Sequence, residues 1–407
     1  MNVFVVVMIA MVTMVWLLRK HWPVGPSLLV AGAIFWVFLD PSVGTLGTCL
    51  YNVGIKPQTY DLVGALYFVV CLEIEMNKSG CLNGMVRYLI AKIPSLRLTM
   101  AIMPAFLGLL PSIGGARFSA PIVDTLARNQ GIANERLSAI NFWFRHVFEY
   151  TSPLVPSMIL TCTLAGIGIG ELIGHVAWVV VLAFACGWIV LIRPIRTHAE
   201  ESQTIDPNDL RSYRRDFFMC LVPIAFAFVL MVGFGLKASV AMGLVSLISY
   251  VALRLLKRGV PFKRIYLGAV EWRLLRDIFC IVFFIELLEQ TGALMQIVEG
   301  FRAAPLPIPV IIAMCSFTIG VLCGTSQGPC AILTPIAVAL PGFELLDLVG
   351  ILVVFSFAGI MVTPTHMCMM ISLDYFKSDF FRMLRLCFIT MNLKMLVFSS
   401  IVWYFWF

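Results

Sequence analysis

Charge is what this sequence has least of. Asp, Glu, Lys and Arg make up 13% of its 407 residues and apolar residues 60%, where a water-soluble domain holds roughly a quarter charged and about half apolar. That scarcity excludes a water-soluble fold and marks a chain that crosses a bilayer repeatedly. The opening Met1-Asn-Val-Phe-Val-Val-Val lacks a basic stretch and a small-residue cleavage site, so it reads as a first spanning helix rather than a removed signal peptide. There is no Cys-x-x-Cys pair and no His-Glu-x-x-His spacing. The twelve cysteines, mostly inside apolar runs, therefore read as small hydrophobes, and no metal is expected beyond a bound Na⁺. The net charge of +7 follows from basic residues collecting on the cytoplasmic side, and nucleic acid is excluded as a partner.

What is present is a repeat. Asn77-Lys-Ser-Gly-Cys-Leu82 lies over Glu289-Gln-Thr-Gly-Ala-Leu294, and Gly108-Leu-Leu-Pro-Ser-Ile-Gly114 over Gly320-Val-Leu-Cys-Gly-Thr-Ser326, both at an offset of 212 residues. Apolar stretches long enough to span fall near 2–18, 23–39, 61–77, 137–170 and 173–192, and again near 216–236, 238–256, 274–290, 345–373 and 383–406. The pattern divides the chain into an N-terminal repeat (1–192), a polar cytoplasmic linker (193–215) and a C-terminal repeat (216–407). Five is odd, so the second copy enters the bilayer from the opposite side and the repeat is inverted. With both termini outside, 23 of the 29 lysines and arginines fall on cytoplasmic segments; Lys56, Lys237 and Arg302 face out, and Arg117, Arg145 and Lys394 lie at membrane depth.

Two segments are too short to cross twice and must dip in and return. The first, 98–127, turns at Ser112-Ile-Gly-Gly-Ala-Arg-Phe118, and the second, from Ile308 to Leu340, turns at Gly324-Thr-Ser-Gln-Gly-Pro329. Backbone left open at such turns is tolerated only inside protein or beside a wet cavity, and helix ends there offer N–H dipoles to anions and carbonyls to cations. Each repeat also carries a proline-broken helix, Glu149-Tyr-Thr-Ser-Pro-Leu-Val-Pro156 and Ile360-Met-Val-Thr-Pro-Thr-His366. There freed carbonyls stand beside hydroxyls and form a plausible Na⁺ cage. The expected fold is thus an all-α polytopic membrane protein with five spans and one re-entrant hairpin per half.

Arg117 in the first turn is the candidate for a carboxylate or oxyanion, with Asp124 or Glu149 as structural partners instead. Arg145 and Glu149, four apart, are expected to pair on one helix face, and His146 and His366 are candidates for a coupling proton, His366 the better. Glu73, Glu75, Glu286 and Glu289 are expected to snorkel to the interfaces. Gly324-Thr-Ser-Gln-Gly328 also fits the Gly-x-Ser-x-Gly pattern of a serine hydrolase, which needs a strand, a histidine and an acid around Ser326. Here an apolar helical hairpin surrounds it.

This layout resembles the ion-transporter superfamily, which includes the divalent-anion/sodium symporters and the citrate, gluconate and arsenite carriers. It looks most like an uncharacterised bacterial and archaeal membrane family placed in that group. The resemblance implies an inner-membrane homodimer whose transport domain moves as an elevator. It also implies one cation site from Ser112, Ile113, Gly114, Thr151, Ser152 and Pro153, and another from Thr325, Ser326, Gly328, Thr363, Pro364 and Thr365. The substrate site would draw on Ser112, Gly114, Gly115, Arg117, Thr151, Ser152, Thr325, Ser326, Gln327, Thr363, Thr365 and His366, with Asp124, Arg145, His146 and Glu149 as a charge relay. No cofactor is expected besides Na⁺ or H⁺ as coupling ion. The expectation is a secondary transporter of a small, organic anion; a cation/proton antiporter using Asp124 and Glu149, and a membrane hydrolase built on Ser326, are the alternatives.

Overall fold

In the computed structural model, residues 3–20, 22–93, 95–109, 116–127, 130–196, 207–364 and 366–406 are described. Among them the regular structure is entirely helical. The first half runs α1 (Val3–Arg19), α2 (Val24–Leu39), α3 (Val43–Ile55), α4 (Pro57–Lys78), α5 (Cys81–Lys92), α6 (Leu96–Gly108), α7 (Ala116–Ala127), α8 (Asn134–Arg145), α9 (Pro156–Ala165), α10 (Ile169–Val176) and α11 (Trp178–Gly187). The second runs α12 (Pro207–Phe228), α13 (Ala238–Leu255), α14 (Trp272–Gln290), α15 (Ala293–Ala303), α16 (Ile308–Cys323), α17 (Gln327–Ala339), α18 (Leu345–Ile360), α19 (Met367–Phe376) and α20 (Phe380–Phe405).

The helix bounds keep the spacing of the sequence repeat. Advanced by 212 residues, α4 falls on 269–290, α6 on 308–320 and α8 on 346–357, over α14, α16 and α18. Packing follows the same exchange: α4 crosses α13 as α14 crosses α2, α6 lies on α8 as α16 lies on α18, and α9 meets α17 as α19 meets α7. At the first of these crossings small residues let the backbones approach. A Cβ on Gly64 would stand 2.9 Å from Ser239 Cβ, and one on Gly25 would stand 2.6 Å from Asp277 Cα. Close helix approach of this kind is how membrane helices gain packing energy when no hydrophobic drive separates them from lipid.

Several spans read from hydropathy are built from shorter pieces. The stretch 137–170 holds α8, a 3₁₀ turn at Val147–Tyr150 and α9, and α9 bends by 115° into α10. Among the described residues, by length and composition, three helices (Asp209–Gly233, Ala238–Leu255 and Phe380–Phe405) can cross a membrane alone, or five if each sharply bent pair is one span. Prolines and glycines at the breaks shorten the rest. α12 also starts at Pro207, inside the expected linker, because Pro at the first position and Asp209 in the first turn suit a helix start and carry it past the apolar segment. Met8, Trp16, Phe381, Trp403 and Tyr404 stand exposed on the outside, the surface a lipid-facing protein presents. The repeat mates α8 and α18 form the centre, with nearly every side chain of α18 and of Leu137–Arg145 buried.

Of the four carboxylates expected to snorkel, Glu289 is exposed and Glu73 half-buried, but Glu75 and Glu286 do not reach the surface. Glu75 is fully buried and accepts from Ser246 Oγ on α13 at 3.0 Å, and Glu286 is buried beside Asn52 Nδ2 at 2.9 Å and the Lys56 ammonium. The helix crossings cover them, so partners rather than water hold these groups.

Candidate functional site

The site is set by two glycines one repeat apart. α16 packs so tightly on α18 that a Cβ on Gly320 would stand 2.7 Å from Ser356 O, and one on Gly108, at the end of α6, would stand 1.8 Å from Arg145 O at the end of α8. Only the missing side chain allows each backbone contact. The second hairpin then turns through Gly324, at φ +66°, a left-handed conformation that glycine takes without strain.

Between these ends lies a cavity of about 340 Å³, lined from both repeats. Three helix N-termini open on it: Val155-Pro156-Ser157 at α9, Ser326-Gln327 at α17 and His366-Met367-Cys368 at α19. The chain also brings Gly108 and Arg145, from the C-terminal ends of α6 and α8, to its wall. Ser326 Oγ lies 2.9 Å from Ser157 Oγ, joining the hairpin tip to the broken helix of the other repeat. Thr325 Oγ1 is buried with no hydrogen-bond partner among the described residues.

One wall carries a histidine pair. α8 ends at Arg145, and His146 as its C-cap turns inward, with Nδ1 2.6 Å from Phe142 O. His366, the residue before α19, places Nδ1 2.9 Å from Gly324 O, and the two Nε2 atoms meet at 3.0 Å. Glu149 Oε1 stands 3.9 Å from His146 Nε2, while its Oε2 is buried without a hydrogen-bond partner among the described residues. Arg145 donates from Nη1 to Leu107 O at 3.2 Å. Arg145 and Glu149 do not share one α-helical face, because α8 stops at Arg145 and a 3₁₀ turn carries Glu149, but both line the cavity.

The other sequence candidates divide. Thr325, Ser326, Gln327, His366, Arg145, His146 and Glu149 line the cavity. Ser152 Oγ donates to Leu109 O at 3.3 Å and Thr151 Oγ1 to Phe148 O at 3.3 Å, so both hydroxyls tie the first break to nearby carbonyls. Pro153, Thr363 and Gly328 are buried near the breaks and the hairpin tip, and Pro364 is exposed. Asp124 does not line the cavity; it is exposed on α7 and accepts from Tyr375 OH at 3.4 Å. Ser112, Ile113, Gly114, Gly115 and Thr365 lie outside the described residues, and Arg117 belongs to the first turn of α7.

Cys368, Ser157 and Gly108 reach the cavity without having been singled out as ligands. Ser157 follows the Pro156 break directly and could have been found from it; Cys368 looked like any cysteine in an apolar helix. Lys394, at membrane depth, donates from Nζ to Tyr150 OH at 2.6 Å, with the ammonium 4.9 Å from that ring's centre. Both are buried, so α20 is pinned to the first break.

Known proteins place this architecture. No curated protein matches the sequence. In fold it is similar to the crystal structure of the Alcanivorax borkumensis YdaH transporter, described as revealing an unusual topology, at 13% sequence identity over 86% of this chain and 88% of that one, with a TM-score of 0.59. A family model described as "Protein of unknown function (DUF401)" matches residues 5–404, and the chain belongs to that family.

Proposed function

We propose that this protein is a secondary transporter that carries a small organic anion, coupled to Na⁺ or H⁺. The observation that carries the reading is the convergence of three helix N-termini, from α9, α17 and α19, on one cavity shared by both repeats. Helix N-termini present unpaired N–H groups and a positive dipole end, and three together favour a bound anion without any dedicated charge. The cavity's volume of about 340 Å³ suits a metabolite-sized ligand, since small-molecule sites run from roughly 300 to 1,000 Å³. Paired breaks in repeated halves are the layout in which transporters place substrate at the repeat interface. The fold it shares with the YdaH transporter supports the same class.

On this reading the repeats are inverted in the bilayer, and the hairpins with α8, α9, α18 and α19 move as a body against α4, α13, α14 and α2. An elevator of that kind exposes one cavity to each side in turn. Homodimerisation would anchor the stationary body.

Thermal stabilisation of the purified protein tests it. A binding anion at 100 times its Kd adds about 2.7 kcal/mol by mass action. In a panel of small anions, with Na⁺ or with choline in its place, at least one is expected to raise the apparent Tm. A rise that needs Na⁺ identifies symport. If Na⁺ or pH alone shifts Tm and no anion does, the anion reading fails and cation exchange replaces it.

A further inference from the structure

The two histidines pose a problem in hydrogen bonding. Each Nδ1 faces a backbone carbonyl, Phe142 O at 2.6 Å and Gly324 O at 2.9 Å, so each must carry its proton there. In a neutral imidazole that leaves Nε2 as a bare lone pair, and here the two bare nitrogens meet at 3.0 Å. Two lone pairs held that close repel unless something positive lies beside both. A shared proton would serve two nitrogens and nothing more. The structure gathers further donors at the same place: ring nitrogens of His146 and His366 and the sulfur of Cys368 all lie within 4.8 Å of one another. Glu149 Oε1 is 3.9 Å from His146 Nε2, and its Oε2 is buried with no hydrogen-bond partner among the described residues.

We propose that His146, His366 and Cys368, completed by Glu149, form a binding site for a borderline-soft divalent metal ion of the zinc class. The donor set selects the ion. Imidazole with thiolate suits Zn²⁺ and its neighbours, whereas Na⁺ and Mg²⁺ prefer all-oxygen shells. Zn–N bonds of about 2.0–2.1 Å hold tetrahedral ligand atoms about 3.3 Å apart, close to the nitrogen spacing seen here. The outer shell is also that of a metal site, since ligating histidines characteristically donate the other ring N–H to a carbonyl and are fixed in orientation by it. Cys368 stands in the first turn of α19, where the positive helix end favours an anionic ligand. The ion reaches the site through the cavity that all four residues line.

The charged and titratable groups packed around it are Arg145 from α8, Glu149 from the 3₁₀ turn, Cys368 from α19 and, beyond Tyr150, Lys394 from α20. A divalent ion against one thiolate and one carboxylate leaves the donor set neutral. The site stands on its own geometry and holds whether or not the cavity carries an anion.

Cobalt titration of the chelator-stripped, full-length protein tests the proposal. Wild type is expected to take up one equivalent of Co²⁺ with the intense visible absorption of tetrahedral cobalt and a near-ultraviolet thiolate-to-cobalt band, both displaced by Zn²⁺. Cys368→Ser is expected to lose the thiolate band, and His366→Asn to weaken binding at least 10- to 100-fold. Cys315→Ser, at a cysteine elsewhere in the fold, is expected to keep the full spectrum. Zn²⁺ is expected to raise the apparent Tm of wild type and of Cys315→Ser and to leave Cys368→Ser unmoved. Wild type that retains no Co²⁺ after gel filtration overturns the proposal. So does a thiolate band that survives Cys368→Ser, which places the metal elsewhere. A Cys368→Ser protein whose metal-free Tm equals that of wild type shows that loss of the band is loss of a ligand and not of the fold.

Discussion

A lysine ammonium near the middle of a bilayer costs about 2.5–3.5 kcal/mol on insertion scales, so Lys394 must be supported by something. Among the described residues its hydrogen-bond partner is a phenol, Tyr150, whose ring it also contacts. Tyr150→Phe removes the acceptor and leaves the ammonium buried, which is expected to cost about 1–3 kcal/mol and lower the apparent Tm. Adding Lys394→Met to it is expected to recover much of the loss, because an apolar side chain of similar length needs no partner. A Tyr150→Phe protein with the Tm of wild type would show that the contact contributes nothing to stability. The same logic explains why residue types were legible in the sequence and residue roles were not. Arg145, Glu149 and His146 were marked by being polar in an apolar stretch, but their partners, Leu107 O and His366 among them, lie on other helices. Ser112 to Gly115, marked by their glycine-rich turn, and Thr365, beside a proline break, lie outside the described residues.

At the scale of the helix, the breaks and hairpins were readable because glycine and proline act locally. Gly324 with its positive φ, and Pro156 at the first position of α9, sit where the sequence placed interruptions. How far each helix ran past its break was not readable: α8 ends at Arg145, several residues before Pro153, since the carbonyls of its last turn are taken by the caps that follow. The close approach at Gly108 and Gly320 makes a graded prediction. Gly320→Ala is expected to cost about 1–3 kcal/mol by overpacking against Ser356 O, and Gly108→Ala at least as much, the clash with Arg145 O being closer. Gly174→Ala in the exposed interior of α10 meets nothing within 4 Å and is expected to be neutral or to stabilise by up to about 1 kcal/mol. Melting curves of the three in one detergent check the order, and a Gly108→Ala as stable as Gly174→Ala would show that the α6–α8 contact yields freely.

For the whole molecule, the distribution of lysine and arginine predicts a handedness in the bilayer. A periplasm-active reporter fused after residue 407 is expected to be active, and the same reporter inserted in the 193–215 linker silent, with a cytoplasm-active reporter showing the reverse. The opposite pattern would invert the orientation while leaving the fold intact. The sequence by itself determined that this is an all-helical membrane protein, with helices that recur at an offset of 212 residues, a turn at Gly324 and a break before Pro156. Composition, periodicity and helix-breaking residues are short-range properties answering to the surrounding solvent, and a sequence carries them directly. Only the tertiary structure decided that Glu75 and Glu286 are buried, that Lys394 rests on Tyr150, and that His146 and His366, 220 residues apart, face each other beside Cys368. Those pairings depend on backbones meeting at Gly108 and Gly320. An approach of that kind is a property of two helices at once, and no single stretch of chain contains it.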